Sequence, residues 1–197
     1  MKIEKKSVKK IRCPWAEASK SGNPDPLVIY YHDNRWCKEV HNDNELFALM
    51  VLESFSVGLS WALILNREDG MRALCDNFIP EKNALYDEEK EAELMKEAAM
   101  IRHRGKIKSI AQNAKAFLKV KEEFGSFDKY IWSFTDGKII DNRLKADEKM
   151  PAVSELSVSV SKDLKKRGFK FLGSVIVYSY LQAIGVINDH LLCCEFR

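Results

Sequence analysis

Apolar residues recur along most of this chain at the three- and four-residue spacing of an α-helix, and this pattern limits its fold more than any other feature. Val, Ile and Thr do not alternate with polar residues over the length that a β-strand requires. Residues 106–121 show the helical pattern clearly, with Ile107, Ile110 and Ala114 on one face. The sequence therefore predicts an all-α protein.

Residues that cap helices mark where two of the predicted helices begin. Asn42 stands three residues before Glu45, which is the spacing of a capping box, and a long apolar run follows. Gly58 is expected to end or bend that helix, and a second helix is expected to begin near Ser60. Further helical segments are predicted at 87–100, 127–134, 159–167 and 174–184.

Length and composition indicate one folded domain. At about 150 residues per domain, a chain of 197 residues suggests a single domain, which we place at 12–197 behind a basic tail at 1–11. With 46% apolar and 31% charged residues, the composition excludes a disordered or fibrous chain. No apolar run approaches a membrane span, and no apolar segment follows the basic start. We therefore expect a cytosolic, monomeric protein without a membrane partner.

Positive charge is concentrated in three segments although the net charge is only +3. Residues 1–12 carry six Lys or Arg against Glu4, and residues 102–108 carry four, including Arg102 and Arg104, with no acid. Residues 162–170 form the third segment. Such segregation is what an anion-binding face requires, but three solvated helix ends would give the same pattern.

Five cysteines in a chain without a secretion signal argue against a disulfide framework and leave a metal site or buried thiols. On a helix, His190 and Cys194 would share a face and could bind one metal ion, with Cys193 a weaker alternative. Cys13 and His32 could complete a tetrahedron. Such a tetrad would be a structural clamp between the two ends of the chain, with no open position for catalysis.

Glu53 is the carboxylate that the helical pattern places among apolar residues. It lies on the predicted face of Leu46, Leu49 and Met50, where an unpaired charge is costly unless it is used. Burial would raise its pKa and suit it to acid–base work or to a hydrogen bond with a ligand. The alternative is a glutamate at a helix end that points to solvent.

An aromatic set surrounds these positions in the sequence, namely Trp15, Tyr30, Tyr31, Trp36 and Trp61. Aromatic rings beside a buried carboxylate make a slot for a flat cationic ring, although ordinary core packing would use the same residues.

The segment LKKRGFKFLGS (164–174) reads as a helix, a tight turn and a second helix. Backbone N–H groups at such a turn can face a phosphate and grip a nucleic-acid backbone without reading its sequence. A glycine that caps a helix among solvated lysines is the simpler interpretation. The turn and its charges comprise Lys165, Lys166, Arg167, Gly168, Lys170 and Gly173.

Taken together, these segments resemble the 3-methyladenine DNA glycosylase I family from about Arg12 to Cys194. The matching segments are RCPWA, YHDNRW (31–36), LES with GLSW (58–61), IRHRGKI (101–107), WSF (132–134), SKDLKKRGFKFLG (161–173) and NDH with a cysteine four residues on. The resemblance implies a helix-hairpin-helix fold with a structural zinc ion. It also implies that the protein flips 3-methyladenine out of alkylated duplex DNA and releases the free base by hydrolysis, without a lyase step.

The resemblance also assigns roles to residues. It implies Cys13, His32, His190 and Cys194 as zinc ligands. It implies Glu53, Tyr31 and Trp61 as catalytic residues of the base pocket, with Trp36, Ser56 and Trp15 binding substrate. It places the DNA-binding hairpin at Gly168–Gly173, and the basic residues of 102–104 and 165–170 are expected to contact DNA. Asp189 is a weaker candidate for a general base.

Four positions depart from the family pattern. Val28 stands in place of a Tyr, Cys37 and Ala99 stand in place of Gly, and Ser56 stands where Gln or sometimes His is common. The changes at Val28 and Ser56 could alter base specificity or rate. One alternative is therefore a silent or altered-specificity paralogue that acts as a zinc-stabilised DNA-binding module. Another is a zinc hydrolase for a small molecule, which would require an open metal position.

Overall fold

The computed structural model describes residues 10–18 and 22–197, and this part of the chain is predominantly helical, so the all-α prediction is confirmed. Its helices are α1 (Pro14–Glu17), α2 (Pro26–Asn34), α3 (Asp43–Ser56), α4 (Trp61–Leu74), α5 (Pro80–Asn83), α6 (Glu88–Leu94), α7 (Arg104–Phe124), α8 (Phe127–Ser133), α9 (Glu155–Lys166) and α10 (Ser174–Ala183). Two short strands, β1 (Ile140–Asp141) and β2 (Ile187–Asn188), pair in parallel. Residues 1–9 of the predicted basic tail lie outside the described residues.

The predicted start of α3 and the predicted start of α4 are both confirmed. The side chain of Asn42 accepts a hydrogen bond from the backbone N–H of Glu45 at 3.1 Å, and Ser60 caps α4 in the same way. Gly58 lies between the two helices with φ +75°, a left-handed conformation that glycine adopts without strain. The turn at 57–60 therefore follows from local sequence.

Other helix boundaries differ from the sequence prediction. The helix predicted at 87–100 ends at Leu94, and α7 begins two residues before the predicted start and runs to Phe124. Helix α9 begins at Glu155 rather than 159, because Ser154 and Ser157 form a reciprocal capping box. A capping box usually has Glu or Gln at its third helical position, and Ser157 stands there instead, so the sequence pattern did not indicate this helix start.

The prediction that His190 and Cys194 lie on one helix is wrong. Beyond α10, Gly185 takes φ +80°, and a Cβ there would come within about 2.6 Å of the backbone of Lys38 and Glu39. The chain then forms β2 and ends in a turn that the N–H of Cys194 closes on the carbonyl of Leu191. The strand and the turn, not a helical repeat, bring the two side chains together.

Helix α3 runs through the centre of the core, and residues 46–55 are all buried. It packs against α4, α7, α8 and α10. A second apolar cluster, which includes Cys13, Tyr31, Trp36 and Leu191, joins the N-terminal and C-terminal segments. Across the described ranges, no helix is both long and apolar enough to cross a membrane.

Candidate functional site

A cavity of about 530 Å³ lies between the central helix and the second apolar cluster. Helices α1, α2 and α4 and the segment after α2 supply its aromatic side chains, and α3 supplies Glu53. Helix α10 supplies a polar wall, and residues of the 146–150 loop supply another wall. Its lining includes Trp15, Tyr31, Trp36, Glu53, Ser56, Leu59, Trp61, Ala146, Met150, Ser179, Gln182 and Leu191. The structure thus brings together all six residues that the sequence analysis assigned to catalysis or substrate binding.

Glu53 is the buried acid of this cavity and is 4% exposed. Within the described residues no lysine, arginine or histidine forms an ion pair with its carboxyl group. Burial raises the pKa of Glu53 to about 8, an effect that hydrogen bonding from Ser56 partly offsets. The group is therefore predominantly neutral at pH 7, and a buried acid without a counter-ion that lines a cavity is typical of a ligand site.

The aromatic side chains form the other walls of the cavity. The ring centroids of Tyr31 and Trp61 lie 5.2 Å apart, and those of Trp15 and Trp36 lie 4.8 Å apart. The indole N–H groups of Trp15 and Trp61 are buried and have no hydrogen-bond partner in the part of the chain that the structure describes. Unpaired buried donors are rare in proteins, and both of these belong to residues that line the cavity.

Tyr30 and Val28 do not line the cavity. Tyr30 is 59% exposed and lies outside the aromatic set that forms its walls. Val28 is buried in the second apolar cluster and does not line the cavity, whereas Ser56 does. Cys37 and Ala99 do not line the cavity either, so Ser56 is the one wall residue among the four departures from the family pattern.

An ion pair that the sequence analysis missed joins α2, which carries Tyr31, to α4, which carries Trp61. Arg35, at the end of α2, makes two hydrogen bonds of 2.7 and 2.9 Å to the carboxylate of Glu68 on α4. Its guanidinium also lies 5.5 Å from the centre of the Tyr31 ring. Paired hydrogen bonds of this kind fix orientation as well as distance, so the ion pair sets the spacing of α2 and α4.

A second functional cluster adjoins the cavity, where Cys13, His32, His190 and Cys194 bring four ligand atoms within 4.8 Å of one another. All four residues are buried, and all five cysteines of the chain are free thiols. The cluster could hold a metal ion, and it joins the N-terminal and C-terminal segments, as the sequence analysis expected of these four residues.

Each histidine turns one ring nitrogen to the cluster and has the other held by an acceptor. The Nδ1 atom of His32 lies 2.8 Å from a carboxylate oxygen of Asp33, and Nε2 of His190 lies 3.3 Å from the carbonyl oxygen of Trp36. Burial lowers the pKa of His190 to about 4, so its imidazole is neutral, as a metal ligand must be. Outer hydrogen bonds of this type orient metal-binding histidines in proteins.

Helices α9 and α10 are joined by a tight turn at 167–173, the region that the sequence analysis assigned to DNA binding. The side-chain amide of Asn113 makes two hydrogen bonds to the backbone of this turn. Its Oδ1 atom accepts from the N–H of Lys170 at 2.7 Å, and its Nδ2 atom donates to the carbonyl oxygen of Lys170 at 3.2 Å. Phe171, in the turn, makes an edge contact with the ring of His103. The 102–105 segment therefore lies against the 167–173 turn.

Most of the expected DNA-contacting side chains are exposed on this surface. Lys165, Lys166, Lys170, Arg102 and Arg104 are exposed, and so are Gly168 and Gly173. Arg167 differs, since it forms ion pairs of 2.6 Å with both Asp163 and Glu123 and stacks near Phe124. Its guanidinium is therefore engaged by carboxylates of the protein itself.

Asp189, the weaker candidate for a general base, does not line the cavity. Its carboxylate is fully buried and accepts hydrogen bonds from Asn142, Tyr178 and Gln182. Gln182 itself lines the cavity, as do Ser179 and the 146–150 loop. These wall residues were missed because no local pattern links them to Glu53.

Comparisons with known proteins agree with this geometry. The methyladenine glycosylase family model matches residues 21–197. DNA-3-methyladenine glycosylase 1 of Escherichia coli (strain K12) is 38% identical over 183 residues, which cover 93% of this chain and 95% of that protein. A crystal structure of 3-methyladenine DNA glycosylase I superimposes with a TM-score of 0.87 at 39% identity, covering 94% of this chain and 98% of that chain.

A variant of 3-methyladenine DNA glycosylase I, solved in complex with 3-methyladenine, superimposes with a TM-score of 0.86 at 35% identity. It covers 89% of this chain and 95% of its own. Likeness in sequence and in structure thus extends over most of the chain. The chain therefore belongs to the methyladenine glycosylase family.

Proposed function

We propose that this protein is a DNA repair enzyme that excises 3-methyladenine from alkylated duplex DNA by hydrolysing the N-glycosidic bond. The observation that carries the proposal is the Glu53 carboxyl, which is buried without a counter-ion in an aromatic cavity. Methylation at N3 puts positive charge on the adenine ring of the nucleotide. A cavity with aromatic faces and an unpaired acid suits such a base better than it suits neutral adenine.

The raised pKa of Glu53, about 8, would let the cavity distinguish a cationic base from a neutral one. In the empty cavity Glu53 is predominantly protonated at pH 7, so the cavity carries little charge there. A cationic base that entered beside it would favour the carboxylate and would lower its pKa, so that binding the cation and ionising the acid support each other. A neutral base would gain no such interaction.

The aromatic residues supply stacking. Trp61 is proposed to stack on the flipped base and Tyr31 to hydrogen-bond its edge, while Trp15 and Trp36 close the opposite wall. Stacking on an aromatic side chain contributes about 1–3 kcal/mol per base, which is comparable with the few kcal/mol that base flipping costs. Water can then attack a sugar with oxocarbenium character.

The surface beside the cavity supports DNA as the substrate. The ammonium of Lys106, on α7, donates hydrogen bonds to the carbonyls of Phe55 and Val57, at the end of the helix that carries Glu53. The 102–105 segment precedes Lys106 and lies against the 167–173 turn through the His103–Phe171 contact. We infer that this turn acts as a DNA-binding hairpin, with Lys165, Lys166 and Lys170 meeting the phosphates of the strand that presents the flipped base.

A structural zinc ion is the second part of the proposal. Two thiols and two imidazoles are the donor set that Zn²⁺ favours, and the outer hydrogen bonds from His32 and His190 leave one nitrogen of each ring for the metal. A zinc ion bound there would cross-link the N-terminal segment, which carries Cys13 and His32, to the C-terminal segment, which carries His190 and Cys194. Four protein donors leave no open position, which argues against a zinc hydrolase.

A lyase step is not part of the proposal. Such a step needs an amine nucleophile at the sugar, made reactive by burial or by neighbouring charge. Among the described residues, the lysine that lines the cavity is Lys149, which is exposed rather than buried. Hydrolysis by water is the simpler chemistry for a base that is already a good leaving group.

The test is release of free 3-methyladenine from methylated duplex DNA, with the wild type beside Glu53→Ala. We expect release by the wild type and a large reduction in the variant at unchanged DNA affinity. No release by a folded wild type that binds DNA would overturn the assignment. That result would instead support the silent or altered-specificity module, and Ser56 would be the first wall residue to exchange.

A further inference from the structure

Gln182 is a polar side chain of the cavity that the reaction as described leaves unused. It is 6% exposed and projects from α10 into the wall formed with Ser179. Its Nε2 atom lies 2.6 Å from a carboxylate oxygen of Asp189 and 3.2 Å from the sulfur of Met150. Both of its amide hydrogens therefore have partners.

Asp189 fixes which way this amide points. Its carboxyl oxygens accept from three donors, one of which is the amide nitrogen of Gln182, so the amide oxygen is turned away from Asp189. Tyr178, one helical turn before Gln182, donates to the same carboxylate oxygen at 2.7 Å, and Asn142 donates to the other at 2.6 Å. A fully buried acid with three donors is a rigid anchor rather than a base.

The side-chain oxygen of Gln182 is left as an unpaired acceptor of the cavity. Within the described ranges Oε1 accepts no hydrogen bond, and it is not among the fully buried atoms that lack a partner. Since the side chain lines the cavity, the accessible oxygen is offered to whatever enters. The side chains that line the cavity thus include two with acceptor oxygens, Gln182 and Glu53.

We propose that Gln182 is a specificity-determining residue, whose side-chain oxygen accepts a hydrogen bond from the exocyclic amino group of the bound base, and that Asp189 is its positioning residue. This inference rests on the proposed function. The amino group is the hydrogen-bond donor on the edge of adenine, and its two N–H bonds call for two acceptors. A 6-oxo purine would place an oxygen there instead, and two acceptors would face each other without a hydrogen.

The experiment measures binding of two free bases by quenching of tryptophan fluorescence, with 3-methyladenine and its 6-oxo counterpart 3-methylhypoxanthine as the probes. The test variant is Gln182→Met, which keeps length and burial but lacks an acceptor oxygen. Gln112→Met, the same exchange at an exposed position of α7 that does not line the cavity, is the matched control. Zinc content and base release from methylated DNA are measured on the same preparations.

We expect Gln182→Met to weaken 3-methyladenine binding about tenfold, the usual size of one lost hydrogen bond to a charged group. Binding of 3-methylhypoxanthine should change less than about twofold, so selectivity falls, while Gln112→Met keeps the wild-type ratio. Asp189→Asn, which frees the amide to turn over, should lower the same ratio with zinc retained.

Other outcomes would overturn the proposal. An equal loss of affinity for both bases would make Gln182 merely structural. Unchanged affinities with slower base release would assign its oxygen to the attacking water instead. A wild type that releases 3-methyladenine while Gln182→Met keeps full selectivity would refute this inference alone, whereas a wild type that neither binds nor releases 3-methyladenine would refute the proposed function with it.

Discussion

The Nζ atom of Lys106 lies 2.7 Å from the carbonyl oxygen of Val57 and 3.0 Å from that of Phe55, with the lysine side chain buried. The ammonium therefore satisfies backbone acceptors at the C-terminus of α3, where the helix dipole favours a positive charge. It also joins α7 to the turn that leads from Glu53 to Trp61. Two parts of the proposed site, the cavity and the basic surface, meet at this contact.

Replacing Lys106 by Met should lower the free energy of unfolding by about 2–3 kcal/mol, because two buried carbonyls lose a charged donor. Urea unfolding at pH 7 measures the loss. Lys108→Met, two residues on at an exposed position, is the matched control and should change stability by less than about 0.5 kcal/mol. Equal, small effects in both variants would show that the contact contributes little.

The raised pKa of Glu53 predicts a pH-dependent difference between the wild type and Glu53→Gln. A pKa of about 8 in the folded protein, against 4.5 for an ordinary glutamate, means that folding favours the protonated acid. Its contribution is complete below pH 4.5 and is lost as the pH rises to about 8. We expect the wild type to lose up to about 4 kcal/mol relative to the variant across this window.

Paired urea titrations at pH 5 and pH 8.5, at fixed zinc concentration, measure this difference. Glutamine is the suitable comparison because it keeps the shape of the protonated acid and cannot ionise. Stability curves that run parallel for the two proteins would show that Glu53 titrates as an ordinary carboxyl group. In that case the wild type would lose no stability relative to Glu53→Gln between pH 5 and pH 8.5.

Local sequence was enough to place several helices. The caps at Asn42 and Ser60 act within four residues, so their signals survive in any tertiary context. Helical periodicity placed Glu53 on the apolar face of α3 but left a solvent-facing glutamate as the alternative, and the structure shows that the side chain is buried. The sequence also suggested a pairing of His190 with Cys194, but from a helix that does not exist. A turn can satisfy the same spacing, and here the turn that Cys194 closes on Leu191 does so.

The polar wall of the cavity could not be predicted in this way. Gln182 has the surroundings of a core residue in a helix, and its use depends on Asp189, which reaches it beyond the end of α10. Met150 comes from the irregular connection, whose path no periodicity describes. Contacts between distant segments set these positions, and a single sequence carries no direct record of them.

The proposed zinc site predicts different outcomes for two adjacent cysteines. Cys194→Ser should purify without zinc and melt about 10 °C lower, since a metal site that joins the chain ends contributes several kcal/mol to folding. Cys193→Ser should keep one zinc ion and the wild-type melting temperature, because Cys193 is exposed and outside the cluster. Metal analysis with thermal melting decides, and a fully stable wild type that contains no metal would contradict the assignment.

The proposed DNA surface predicts that Lys170 and Arg167 behave differently. Lys170 is exposed in the 167–173 turn, so Lys170→Gln should reduce the slope of log affinity against log salt by about one unit. The guanidinium of Arg167 is held by Asp163 and Glu123. Arg167→Gln should therefore lower the melting temperature and leave the slope nearly unchanged. Binding of a short duplex between 50 and 200 mM salt measures both slopes, and a reversed result would place Arg167 on the DNA backbone instead.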